Sequence, residues 1–150
     1  MKALIQRAQR ASVTVDDRVV GRTGRGYVVL LGVREGDDEA AARYLAQRTL
    51  NLRVFSDENG KMNLSVQDVG GEILVISQFT LYADTRKGNR PSFTRAAPPA
   101  QAQGLYELYV EALRGALGPP RVATGIFGAM MTVEIINDGP VTVELSTDGR

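Results

Sequence analysis

The sequence predicts an α+β fold in which a curved, largely antiparallel β-sheet or open barrel packs against two helices. Short apolar, β-branched runs separated by turn residues recur along the chain and indicate strands. Two other segments have the apolar spacing of amphipathic helices. The 150 residues are 43% hydrophobic and contain no repeat or evident linker, so we expect a single domain over residues 1–150 around a substantial core.

The first part of the chain alternates strands with tight turns. Residues 2–8 open with Ala-Leu-Ile and predict a first strand. Residues 12–15 and 18–22 alternate around two aspartates and predict a β-hairpin with a two-residue turn. Residues 26–33, GYVVLLGV, are nearly all apolar and predict a central strand.

Each predicted helix has start signals and an apolar stripe. Asp37 or Asp38 can cap the first helix, whose stripe comprises Ala41, Tyr44, Leu45, Arg48 and Leu52. Arg48 is the polar member, and its aliphatic stem can still cover apolar surface. Pro98 and Pro99 predict the start of the second helix, which Gly118 ends. Its stripe comprises Leu105, Leu108, Tyr109, Ala112, Leu113 and Ala116.

The remaining segments are shorter. A strand over residues 52–55 is expected to lead into a turn with Asn59-Gly60 at its tip. Two closing strands, 130–136 and 141–145, flank the sequence NDGP. The C-terminal STDGR is expected to be frayed.

The composition excludes several classes of site. The formal net charge is +1, so binding to nucleic acid would require locally concentrated positive charge. The chain contains no cysteine and no histidine, which excludes disulfides, thiolate or imidazole metal ligands, and Ser-His or Cys-His catalytic pairs. Catalysis must therefore use backbone dipoles, hydroxyls, carboxylates, lysine or the substrate itself.

The sequence also predicts where in the cell the protein is found. The N-terminus carries charges where a signal peptide would be apolar. No apolar run approaches the ~20 residues that a membrane helix requires. We therefore expect a soluble, cytoplasmic protein without a membrane partner.

The segment from Gly70 to Phe93 is the first candidate for a functional site. Residues 73–76, ILVI, predict a strand buried on both faces. The polar sequence Ser-Gln-Phe-Thr follows directly at the end of that strand, and a basic loop comes next. A rigid polar strand end beside a cationic loop suits an anionic substrate, although a core strand running into a solvated loop gives the same pattern.

Two motifs are more specific when they occur together. Residues 77–81 read SQFTL and residues 137–142 read NDGPVT, of which NDGP alone is ordinary turn chemistry. In this order they resemble the D-aminoacyl-tRNA deacylase family, the chiral-proofreading enzymes of translation. The resemblance covers almost the whole chain, and it is carried by IQRAQRASVTV, KMNLSV, GGEILVISQFTL, ADTRKGNRPSF, AAPP and NDGPVT.

The resemblance implies a homodimer that hydrolyses the ester joining a D-amino acid to the terminal ribose of tRNA, without a metal or an organic cofactor. It implies that the Gly139-Pro140 peptide bond is cis, and that Gly139 and Pro140 of each subunit form part of the partner's active site at the interface. It also implies that the strand end forms the floor on which the ester carbonyl lies, with catalytic residues Ser77, Gln78, Phe79 and Thr80.

A mechanism without histidine is consistent with the residues present. An aminoacyl ester is already activated, and the main-chain N–H groups of Phe79 and Thr80 can hold the developing oxyanion. One such donor lowers a barrier by roughly 3–4 kcal/mol. An unassisted threonine hydroxyl is a poor base, so we expect the ribose 2′-hydroxyl of the tRNA to help activate water.

Selection by handedness across many amino acids requires a rigid wall that faces Cα. Carbonyl groups beside Gly139-Pro140 can receive the substrate ammonium, and an L side chain would collide with them. Glycine has no side chain to collide, so glycyl-tRNA is expected to be cleaved as well. Arg7 is expected to brace this pair, its alternative being an ordinary surface arginine.

Further residues complete the predicted site. Phe93, Met130 and Met131 are assigned to the substrate site, although these side chains, like Phe127, can instead fill core. Four basic residues are expected to contact tRNA phosphates, which makes binding weaken modestly with salt. They are Arg86, Lys87, Arg90 and Arg95. For each one alone, a solvated loop residue is the alternative.

Two other functions remain open at this point. One is a noncatalytic dimer on the same scaffold that binds tRNA or another ligand. The other is a hydrolase of small esters with Ser77 or Thr80 as nucleophile, for which Lys87 is the nearby candidate base and against which the lack of histidine counts.

Overall fold

The structure is a computed structural model that describes residues 1–149. Its strands are Lys2–Val15 (β1), Arg18–Thr23 (β2), Gly26–Gly32 (β3), Phe55–Ser56 (β4), Met62–Leu64 (β5), Glu72–Ser77 (β6), Val122–Thr124 (β7) and Thr132–Ser146 (β8). Its α-helices are Glu39–Asn51 (α1) and Pro99–Leu117 (α2), and 3₁₀ helices cover Phe79–Tyr82 and Pro119–Arg121. Within residues 1–149, no helix combines the length and the apolarity that spanning a membrane requires.

The sheet is built around β1. On one edge β1 pairs antiparallel with β3 and then with β2, and on the other edge it pairs antiparallel with β8. β6 runs parallel to β3, and β7 runs parallel to β6. β2 approaches β7 so closely that a Cβ on Gly21 would lie 2.6 Å from the carbonyl oxygen of Thr124. The predicted curved sheet with packed helices is thus confirmed as a nearly closed, mixed sheet.

The central strand β6 is buried on both faces, as predicted. Ile73 and Val75 belong to the core that the helices cover, whereas Leu74 and Ile76 belong to a second cluster on the opposite face of the sheet. This alternation follows from the two-residue period of a strand. The hairpin between β1 and β2 is also confirmed, because Asp16 and Asp17 have the positive φ values of a two-residue turn.

The buried face of α1 differs from the predicted stripe. Asp38 caps the helix by accepting a 2.8 Å hydrogen bond from the N–H of Ala41, as expected for one of the two aspartates. Arg48, however, is exposed and donates to the hydroxyl of Tyr44, and Leu52 lies beyond the last turn. The buried residues are Ala41, Ala42, Leu45, Ala46, Thr49 and Leu50. The predicted stripe included Ala41 and Leu45 but missed the other four, two of which are small alanines that let α1 lie close to the core.

β1 and β8 are both longer than predicted. Residues 2–8 and 12–15 form one strand, because β8 pairs with β1 over nearly its whole length. NDGP does not separate two strands but lies within β8, as an interruption of the ladder. The strand predicted over residues 52–55 begins only at Phe55.

The C-terminal tail is packed as far as Asp148, so the prediction of fraying is wrong there. Thr147 is 7% exposed, and its N–H donates to the carbonyl oxygen of Met1. The carboxylate of Asp148 accepts a 3.3 Å hydrogen bond from Tyr82 and pairs with Arg34 at 3.3 Å. Residue 150, the last of the predicted frayed tail, lies outside the described residues.

The interface between the helices contains a buried polar pair. The hydroxyls of Thr49 and Tyr109 lie 2.7 Å apart, and both side chains are fully buried. Tyr109→Phe is therefore expected to lower the free energy of unfolding in urea by about 1 kcal/mol, the net contribution of one such bond. Tyr44→Phe serves as control, since the bond from Arg48 that it removes is exposed. An equal loss in both variants would contradict this account.

Candidate active site

A cleft opens where the parallel strands end. Leu31 of β3 lies opposite Ser77 of β6, and β7 runs parallel on the far side of β6. The carboxyl ends of parallel strands meet at one edge of a sheet, a common position for ligand sites. The cleft here has a volume of about 600 Å³. Its lining includes Leu31, Val33, Glu35, Ser77, Phe79, Phe93, Thr94, Tyr106 and Phe127.

The predicted strand end forms one wall of this cleft. The N–H of Gln78 donates 2.8 Å to the carbonyl oxygen of Leu31, which extends the pairing just past Ser77. The chain then turns into the 3₁₀ helix at Phe79, whose ring packs edge-on against Phe93 with centroids 5.1 Å apart. Phe79 is 56% and Phe93 37% exposed. Phe93 therefore belongs to the cleft wall and not to the core.

The polar side chains at the strand end do not form a nucleophile–base pair. The side-chain amide of Gln78 donates to the hydroxyl of Thr80. An amide is not a base in either orientation, so this contact orients the Thr80 hydroxyl without activating it. Both side chains lie beside the cleft lining rather than within it.

Residues that the sequence analysis missed also line the cleft. Tyr106 of α2 is 6% exposed, and its hydroxyl donates to the carbonyl oxygen of Val75 at 3.2 Å. Burial raises the pKa of Tyr106 to about 12, so the phenol stays protonated near neutral pH. Glu35, just after β3, brings an exposed carboxylate to the rim. No local pattern in the sequence placed them here, because the parallel pairing of β3 with β6 and the packing of α2 depend on residues far apart in the chain.

Phe127 and the two methionines follow β7. The ring of Phe127 lies 5.7 Å from that of Tyr106 and closes the cleft on this side. Met130 is 92% exposed. Met131 packs against the second apolar cluster, close to Gly125. Neither methionine lines the cleft of a single chain.

Gly139 and Pro140 form an exposed corner that leaves the β1–β8 ladder. Their peptide bond is cis, and Gly139 has φ +134°. Arg7 holds this corner: its Nε donates 3.0 Å to the carbonyl oxygen of Asp138, and its Nη1 donates 2.6 Å to that of Val54. The Arg7 side chain is 12% exposed, so it is not an ordinary surface arginine.

The corner and the cleft lie at different levels along the sheet. Arg7 pairs with Tyr27, whereas the strand end with Ser77 pairs with Leu31. Four residues of strand, about 13 Å at 3.3 Å per residue, separate these two pairs. A single chain therefore does not bring Gly139 and Pro140 to Gln78.

The basic loop after the 3₁₀ helix is held by Asp84. The Asp84 and Ser92 backbones pair at its base. Arg86 donates to both carboxylate oxygens of Asp84, at 2.9 and 2.7 Å. These hydrogen bonds hold the pKa of the Asp84 carboxyl below its usual range. Lys87, Arg90 and Arg95 are all exposed, and the guanidinium of Arg95 lies 5.8 Å from the ring centroid of Tyr82.

Comparisons with solved structures agree on the fold. The structure titled c-Myc DNA Unwinding Element Binding Protein superposes with a TM-score of 0.93 at 47% identity and covers 98% of this chain and 99% of that one. A probable eukaryotic D-amino acid tRNA deacylase gives a TM-score of 0.82 at 19% identity, covering 96% and 97% of the two chains. The second match supports the fold alone.

Sequence comparisons identify the family. The family model described as D-Tyr-tRNA(Tyr) deacylase matches residues 4–146. A D-aminoacyl-tRNA deacylase of Heliobacterium modesticaldum is 60% identical over 100% of this chain and 97% of its own length. The enzyme of that name from Thermomicrobium roseum is 56% identical over 98% and 94%. With the cleft and the corner in the positions described, these matches show that the chain belongs to the D-aminoacyl-tRNA deacylase family.

Proposed function

We propose that this protein hydrolyses the ester bond of D-aminoacyl-tRNA and of glycyl-tRNA, releasing the amino acid and the tRNA. The observation that carries the proposal is the cleft beside Ser77 and Phe79, at the carboxyl edge of the parallel strands. Its aromatic walls and its volume of about 600 Å³ suit an aminoacylated nucleoside, because ligand pockets commonly measure about 300–1,000 Å³.

The strand end supplies the groups for ester hydrolysis. Phe79 and Thr80 begin a 3₁₀ helix, and the N–H groups of a first helical turn have no acceptor within the helix. Directed at the ester carbonyl, they would stabilise the oxyanion in the transition state. The attacking water is activated in part by the 2′-hydroxyl of the terminal ribose, since the Thr80 hydroxyl has only an amide beside it.

A second copy of the chain completes this site. Gly139 and Pro140 are exposed and lie far from the cleft of their own chain, as the strand pairing requires. Among residues 1–149, β8 pairs only with β1, which leaves its outer edge free to meet another chain. On the face away from the helices, Val133 and Ile135 are only partly buried. Both features support a homodimer in which each corner enters the partner's cleft.

The corner then acts as the selector for handedness. Carbonyl groups of the corner, which Arg7 braces through the carbonyl oxygen of Asp138, receive the substrate ammonium and stand where the side chain of an L-amino acid would lie. Glycine presents no side chain, so glycyl-tRNA is accepted. Met130, which is almost fully exposed in one chain, would be covered when the two clefts are completed.

The basic loop provides the tRNA contacts, and its members are not equivalent. Arg86 is already paired with Asp84, whereas Lys87 is exposed. Because only a charge that newly neutralises a phosphate releases counterions, Lys87→Ala is expected to lower the slope of log K against log salt by about 0.7–0.9. Arg86→Ala should change that slope less. Filter binding of non-acylated tRNA at several salt concentrations measures both, and equal slopes would contradict this ranking.

Paired deacylation assays with D-Tyr-tRNA and L-Tyr-tRNA test the proposed activity. We expect release of D-tyrosine and retention of the L-ester, with glycyl-tRNA also cleaved. If glycyl-tRNA is fully spared, the steric account of selection is wrong. If both tyrosyl esters survive while the tRNA is bound, the noncatalytic binding function is correct instead.

Two alternatives remain beside this activity. The solved structure titled c-Myc DNA Unwinding Element Binding Protein names binding to a DNA element, a role that the basic loop could serve in this chain. A covalent adduct at Thr80 after incubation with an ester-directed probe would restore the nucleophile mechanism. Thr80→Ala is otherwise expected to retain far more activity than a variant that lacks a true nucleophile.

A further inference from the structure

We propose that Asn137 is a positioning residue whose side chain accepts a hydrogen bond across the Gly139-Pro140 corner and thereby sets the selection of D over L esters. This hydrogen bond from the N–H of Val141 is called the clasp below. This inference rests on the function proposed above, because the corner must act as the selector. It concerns a side chain outside the cleft lining and outside the Arg7 contacts.

The need for a clasp follows from the strand pairing. Ala8 of β1 lies opposite Asn137, and Gln6 lies opposite Thr142. One residue of β1 is therefore matched against four residues of β8, and these four leave the ladder. The N–H of Val141, at the far end of the corner, donates 3.0 Å to the side-chain oxygen of Asn137. The side chain thus replaces, across the corner, an acceptor from the neighbouring strand.

The geometry favours an amide over a carboxylate at this position. The N–H of Val141 can only donate, so the Asn137 atom that faces it is the oxygen. The amide nitrogen then faces the Thr142 hydroxyl at 3.3 Å, which also accepts from Gln6 at 3.3 Å. A single asparagine therefore accepts on one side and donates on the other, which a charged aspartate cannot do.

Asn137 and Arg7 act on opposite ends of the corner. Arg7 holds the carbonyl oxygen of Asp138, just before Gly139, and Asn137 holds the N–H of Val141, just after Pro140. Gly139 and Pro140 themselves are exposed, so water competes for every other polar group there. With both ends fixed, the carbonyl groups of the corner keep one direction, and selection by collision requires that direction.

Three variants test the clasp through two measurements. The first is the ratio of kcat/KM for D-Tyr-tRNA to that for L-Tyr-tRNA, and the second is the exchange rate of the Val141 amide proton by NMR. Asn137→Ala is expected to reduce the ratio about 10–100-fold, the scale of an ångström-sized displacement, and to accelerate Val141 exchange. Asn137→Asp keeps the acceptor, so it should retain Val141 protection and most of the ratio. Asn59→Ala, at an exposed turn, is the matched control and should change neither.

The outcomes separate this inference from the proposed function. An unchanged ratio and unchanged Val141 exchange in Asn137→Ala would overturn the clasp, as would a lower rate on both esters at a constant ratio. If Asn137→Ala does not fold, Asn137→Asp decides instead. Loss of protection of the Val141 amide in folded Asn137→Asp would overturn the clasp. If the wild type leaves D-Tyr-tRNA intact, the proposed function fails, while amide exchange still decides whether Asn137 holds Val141.

Discussion

Gly139→Ala is expected to lower kcat/KM for D-Tyr-tRNA about 100-fold, the loss that an ångström-scale misplacement of a positioning group produces. Gly139 has φ +134°, which L side chains rarely adopt. A Cβ there would lie 2.8 Å from Cγ2 and 2.9 Å from the backbone nitrogen of Val141. The backbone must therefore move, and the carbonyl groups of the corner move with it. The D-to-L ratio of kcat/KM, from single-turnover deacylation, should narrow at the same time.

Gly60→Ala provides the matched control for this substitution. Gly60 also has positive φ, +75°, but a Cβ there would meet nothing within 4 Å. Its backbone strain should lower the free energy of unfolding by about 1 kcal/mol without a change in deacylation. A folded Gly139→Ala protein with wild-type rates on both esters would refute the role of the corner.

D-Tyr-tRNA that ends in 2′-deoxyadenosine is expected to be deacylated about 10²–10⁴-fold more slowly than the natural substrate, the range that general acid–base catalysis contributes. The chain has no histidine. Among residues 1–149, the Thr80 hydroxyl is hydrogen-bonded only to the Gln78 amide, and the phenol of Tyr106 is protonated near neutral pH. The ribose hydroxyl beside the ester is therefore the group placed to assist water. Competition by non-acylated 2′-deoxy tRNA should show unchanged affinity, which assigns the loss to the chemical step.

Glu35 is the competing base at the rim of the cleft. Glu35→Gln is expected to reduce kcat much less than removal of the 2′-hydroxyl does. If Glu35→Gln is inactive but folded, and the deoxy substrate turns over at the normal rate, the carboxylate activates the water and the substrate-assisted route is wrong.

Local features of the fold were predictable because neighbouring residues decide them. The two aspartates at the hairpin tip, an aspartate cap on α1 and the buried run at 73–76 all occur as predicted, and the structure identifies the cap as Asp38. The helical face of α1 was predicted only in part, because tertiary packing buries Ala42, Ala46, Thr49 and Leu50 beside the predicted Ala41 and Leu45. The C-terminal tail was also missed, since distant residues such as Tyr82 and Arg34 hold Asp148.

The composition alone determined the kind of chemistry. Without cysteine or histidine, any catalysis must use main-chain groups, hydroxyls, carboxylates, lysine or the substrate, and the SQFTL and NDGPVT motifs indicated the candidate segments. Only the tertiary structure decided that β3, β6 and β7 run parallel, which brings Glu35 and Tyr106 to the strand end. It also decided that Gly139, on β8, lies level with Tyr27 and not with the strand end that precedes Gln78. Strand direction and register depend on pairing between residues far apart in the chain, and local sequence patterns do not specify them.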